Sequence, residues 1–141
     1  MDMDKFAKIM STWEHVLNAD AELEERNKST YSSLEGKTAI QLAVDKLSPY
    51  RVDVAGGKFK VHQGSSTQPL LSWKLSGDLF KDAMLGKHRL IFSLLDPRGQ
   101  LAFDTPNFTH WNGASIIEML LLAQEMTIKS PEIAKLVKEL E

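Results

Sequence analysis

The chain has 141 residues, 43% hydrophobic and 26% charged, with a formal net charge of −2; this is ordinary composition for one globular domain, long enough to bury its own core. That balance, with no basic run interleaved with aromatics, argues against a nucleic-acid partner. The lack of cysteine excludes disulfides, thiolate nucleophiles and zinc–thiolate sites, and fits a reducing cytoplasm.

The start, MDMDKFAKIM, has no apolar signal core, and the end, LVKELE, matches no targeting signal. Within residues 2–27, Met3, Phe6, Met10, Trp13 and Leu17 recur at three- and four-residue steps. That spacing predicts an N-terminal helix with one apolar stripe, inside a 1–28 segment whose second half is charged and solvated. From Thr38 the period becomes two. Ile40, Leu42 and Val44 form one face of a strand, and Ser48-Pro49 breaks it. Tyr50, Val52 and Val54 alternate next, Gly56-Gly57 marks a hairpin, and Phe59 and Val61 follow. Leu71, Trp73 and Leu75 make a fourth strand. Short connections predict an antiparallel meander.

After Leu75 the spacing turns helical at Leu79, Phe80, Ala83 and Met84. Ser76 suits the N-cap, Asp78 the first turn and Gly86 the stop. Residues 89–94 and 107–112 are expected to be strands, with the Asp96-Pro97-Arg98-Gly99 turn between them and the short QLAFD run left open. Ser115 followed by Glu118 resembles a capping box for a helix over 114–126 that is apolar nearly all round. Its greasiest run, Ile116 to Ala123, is too short to span a bilayer, so no integral membrane segment is expected. Ser130 and Pro131 open a final amphipathic helix within 129–141, striped by Ile133, Leu136, Val137 and Leu140.

This order is an α+β fold: an antiparallel-rich curved sheet of about five strands covered by about four helices. It resembles the sterol carrier protein family of small lipid-binding domains. The resemblance lies in YRVDVAGGKFKVHQG, in the strand ending Trp73-Lys74-Leu75, in SGDLFKDAMLGK closing on Gly86-Lys87, and in FTHWNGASIIEMLLLAQ, where a glycine opens an apolar helix. It covers residues 31–127. The chain departs from the pattern between Gly86-Lys87 and Asn112-Gly113, where DPRGQLAFDTP lengthens it, and it lacks the C-terminal peroxisomal address of some members.

The resemblance implies a single domain over 1–141 that binds, and transfers, a fatty acid, acyl-CoA or similar lipid in an internal tunnel, without a cofactor or metal. The apolar surplus of the second half agrees, because ligand pockets are mostly apolar with few polar groups. The residues expected to line the tunnel are Trp73, Phe80, Met84, Phe92, Phe103, Phe108, Trp111, Ile117 and Leu121. Catalytic signals are weak. His15, His62, His88 and His110 lack metal-binding spacing, and Asp96, Asp104 and Glu118 are isolated carboxylates. Two alternatives stay open: a small α+β cone enzyme using Asp104 or His110, and a cavity-free protein that forms a homodimer through its greasy helix.

Overall fold

Asp2 begins the first helix. Its carboxylate accepts from the backbone N–H groups of Asp4 and Lys5, satisfying donors that a helix start leaves unpaired. In the computed structural model, which describes residues 2–19, 25, 34–66, 68–87, 89–103 and 110–140, this helix, α1, runs Met3–Asn18 and buries Phe6, Ile9, Met10 and Leu17. The side chains of residues 90, 91, 103 and 110–117 lie outside the description. Of the helix expected over 2–27, α1 ends at Asn18, where Ala19 takes the C-cap and donates to the Val16 carbonyl; Glu25 is helical, and residues 20–24 and 26–27 lie outside the described residues.

Four of the strands follow the period-two reading: β1 Thr38–Val44, β2 Tyr50–Ala55, β3 Lys58–Gln63 and β4 Leu71–Leu75. Gly56 and Gly57 both hold positive φ, 62° and 74°, as a type I′ hairpin turn requires. The sheet order is β3-β2-β1-β4-β5, with β5 at Gly99–Phe103. The expected all-antiparallel meander is corrected at its centre. β4 returns to the free edge of β1 and pairs with it in parallel, Leu42 opposite Trp73. The return segment after β3 is held by side chains on the sheet face opposite Ile40, Leu42 and Val44: Arg51 donates to the Ser65 carbonyl, and Gln41 accepts from the Ser66 N–H. Alternation explains this. Ile40, Leu42 and Val44 are buried on one face, while Gln41 and Ala43 point to the other.

Further helices are α2 Gly77–Met84, α3 Leu90–Leu94, α4 His110–Ile128 and α5 Pro131–Lys138. The α2 boundaries match their caps. Ser76 accepts from the Leu79 N–H at 3.1 Å, and Gly86 takes φ 70° just past the end. Residues 89–94 correct the strand reading. In a strand, Phe92 and Leu94 would share a face. Here Ser93 and Leu94 are buried while Phe92 and Leu95 are exposed, which is helical geometry. The strand falls later, in QLAF, after the Asp96–Gly99 turn closes with a 3.1 Å bond from the Gly99 N–H to the Asp96 carbonyl. The expected strand at 107–112 is also corrected, since residues 110–112 open α4 and 107–109 lie outside the described residues. Ser115 is therefore inside the helix and is not its cap.

The result is an α+β layer structure. Phe6 joins its parts: its ring meets Tyr50 of β2 at 5.4 Å and Phe80 of α2 at 5.3 Å, both edge to face. The exposed edge of β3 is covered by α1. Asn18 both donates to the Phe59 carbonyl and accepts from its N–H, and Glu14 accepts from the Val61 N–H. That edge cannot then template pairing with another chain along these bonds.

Candidate functional site

Between sheet and helices lies an apolar cavity of about 60 Å³. The strands give Ile40, Leu42 and Trp73; α2 gives Phe80, Ala83 and Met84; α1 gives Trp13; α3 gives Leu94; α4 gives Leu120, Ala123, Gln124 and Thr127. Each wall follows from a local period. Leu42 and Trp73 are opposite one another in the parallel register, so both side chains leave the sheet on the helix side. Phe80, Ala83 and Met84 recur at three and four, so one stripe of α2 faces them.

The few polar groups around the cavity are mostly spoken for. Thr127 donates to the Ala123 carbonyl at 2.7 Å and accepts from the Trp13 indole N–H at 2.9 Å. Gln124 donates to the Ala83 carbonyl at 3.3 Å, tying α4 to α2. The indole N–H of Trp73 and the hydroxyl of Ser93 are buried without a hydrogen-bond partner among the described residues. Gly99 lets the Trp73 indole approach β5, since a Cβ there would lie 3.0 Å from its nitrogen and 3.0 Å from the Lys74 carbonyl.

A second apolar void, of about 20 Å³, lies beside the first on the same face of the sheet, bounded by Leu17, Ala39, Val52, Phe59 and Met119. The two share Trp13, Ile40, Leu120 and Ala123 as a common wall. Even the larger void equals only about two water molecules of liquid volume, against roughly 300–1,000 Å³ for a ligand pocket. Among the described residues the helix layer is thus closed down on the sheet.

Of the nine residues expected to line the site, the structure brings Trp73, Phe80 and Met84 together on the larger void. Phe92 and Leu121 are 64% and 41% exposed and do not line this void, Phe92 because residues 90–94 are helical and Leu121 because the neighbouring turn positions Leu120 and Gln124 take the inner face. The side chains of Phe103, Phe108, Trp111 and Ile117 lie outside the described residues. Sequence reasoning missed Trp13, Ile40, Leu42, Ala83, Leu94, Leu120, Ala123, Gln124 and Thr127. Trp13 carried a signal, as a large aromatic in a stripe that ends beside the sheet, but small Ala123 and polar Thr127 carried none.

No acid–base constellation forms among the described residues. Asp96 works in the turn, accepting from the Arg98 backbone N–H at 2.8 Å and pairing with its guanidinium at 3.0 Å. Arg98 also reaches Asp82 of α2 at 3.0 Å. By donating hydrogen bonds to Asp96 first and Asp82 second, the Arg98 guanidinium is held above its usual range. Glu118 is exposed on α4, and Asp104 and the His110 side chain lie outside the described residues. No group of three or more potential metal ligands occurs among the described residues, and none of the described helices is long and apolar enough to cross a membrane.

No family model matches the chain, and neither does any curated protein. Solved structures do. A sterol carrier protein domain 2 of Helicoverpa armigera is 15% identical and superposes with a TM-score of 0.61, covering 89% of this chain and 90% of its own. A UbiJ-SCP2 ubiquinone synthesis protein gives 11%, 0.58, 89% and 92% respectively. Sterol carrier protein 2 from Yarrowia lipolytica, in its apo form, gives 17%, 0.55, 82% and 89%. What these superpositions define is the fold: an α+β layer structure, and in particular the fold of sterol carrier protein 2.

Proposed function

We propose that this protein is a divergent sterol-carrier-like module that binds a hydrophobic ligand, a fatty acid, acyl-CoA or related lipid, between its sheet and helices, and hands it on without chemistry. The observation that carries the reading is the apolar cavity walled by Trp73, Phe80 and Met84, residues drawn from the sheet and from the short helix laid over it. The names of the solved relatives support it, since they are carrier proteins or attached to the synthesis of a lipid-soluble quinone. Burial supplies the driving force: about 0.8 kcal/mol per CH₂ removed from water. Affinity therefore needs no charge pair. Phe103, Phe108, Trp111 and Ile117 are proposed to complete the wall. The cysteine-free sequence suits a cytoplasmic setting.

The test uses the tryptophans already in the wall. A fatty acid brominated along its chain quenches an indole only on contact. Saturable quenching is expected in the wild type, and it should fall when Trp73 is replaced by Phe. Quenching that never saturates, or that Trp73→Phe leaves untouched, would place the lipid outside the cavity.

A further inference from the structure

The two voids stand side by side under α4, one over β1 and β4 and the other over β1, β2 and β3. What separates them is a wall of four side chains. Ile40 belongs to a strand hydrogen-bonded on both sides, and Ala123 carries only a methyl group with no rotamer to change. Leu120 and Trp13 remain, and Trp13 is the larger. It is half-buried and comes from α1, a different element from the rest of the wall, and its indole is held by one hydrogen bond to Thr127. The void beyond it is lined by Val52, Phe59 and Met119, so it offers an extending alkyl chain the same apolar surroundings as the first.

We propose that Trp13 is the partition that sets how long an alkyl chain the interior accepts. With the indole latched to Thr127, a ligand fills the compartment under Trp73 and stops at the ring. With the ring gone, the two compartments join into one tunnel across the sheet from β4 to β3, and a longer chain continues into it. This specificity role rests on the lipid-binding reading above. It differs from an ordinary core role, which would lower stability without changing the length at which binding levels off.

The experiment measures affinity for straight-chain saturated fatty acids, from octanoic to stearic acid, by displacement of a fluorescent fatty acid. In the wild type, affinity should rise about fourfold for each added methylene until the first compartment is full, and then level off. In Trp13→Ala the rise should continue past that length at about the same fourfold step. Trp13→Phe, which keeps a ring in the core, should move the break by less and carries the test if the alanine variant does not fold. A break at the same length in wild type and variants, or no break in the wild type, overturns the partition while leaving lipid binding intact. A wild type that displaces no probe at any length overturns the lipid-binding reading and the partition with it.

Discussion

Phe6 has a ring on each of two other elements and is 2% exposed, so its loss is felt in three places at once. Phe6→Ala is expected to cost about 3–5 kcal/mol, read from the midpoint of a urea unfolding curve. A loss under about 1 kcal/mol would mean that α1 is not packed on β2 and α2 as described. Gly99 makes a finer point at the same scale. Its missing side chain is the space into which the Trp73 indole, Leu79 and the Lys74 carbonyl close. Gly99→Ala should destabilise by about 1–3 kcal/mol, because two of those three neighbours are stiff. An alanine variant as stable as the wild type would show that β5 shifts freely. Neither feature can be read from composition. The turn Asp96-Pro97-Arg98-Gly99 was legible, but not that its glycine also has to admit a tryptophan from the next strand.

Among elements, α2 was the most legible, because three local signals agree on it: Ser76 at the cap, the three-and-four apolar spacing, and Gly86 after the end. Ser76→Ala should cost about 1 kcal/mol, the worth of one satisfied helix donor. Gly86→Ala should cost more. It forces alanine into φ 70° and sets its Cβ 2.5 Å from Ile128 Cγ2 on α4. Adding Ile128→Ala should recover part of that loss, the steric part, and leave the dihedral part. No recovery in the double mutant would mean that α4 does not approach α2 there. Elements misread from sequence share one cause. Residues 89–94 hold an apolar run too short to show its period, and only the burial of Ser93 and Leu94 with exposure of Phe92 shows it to be helical. In the same way, β1 and β4 carry equal alternation, and nothing local says that they pair in parallel. That pairing depends on a return path held by Gln41 and Arg51 from elsewhere in the sheet.

At the scale of the whole molecule, the site is a seam assembled from α1, the sheet, α2, α3 and α4. This is why the sequence yielded three wall residues and missed the others. Aromatics and methionines announce themselves as apolar surplus, whereas Ala83, Ala123 and Thr127 become wall only by position. If the interior binds a lipid as proposed, a void of about 60 Å³ makes that binding a conformational event. On that reading, entry has to move α4 away from α2, against the tether from Gln124 to the Ala83 carbonyl. A ligand that binds only the folded chain at a hundred times its Kd should add about 2.7 kcal/mol to stability, seen as a rise in Tm. A Tm that is flat across a fatty-acid titration would count against any interior site.

The most direct measurement is native mass spectrometry of the purified protein, before and after organic extraction and again after reloading with fatty acid. Retention of a single lipid per chain, lost on extraction and regained on reloading, is the expected result. A mass that stays that of the bare chain with fatty acid and acyl-CoA in excess would contradict a lipid-binding interior.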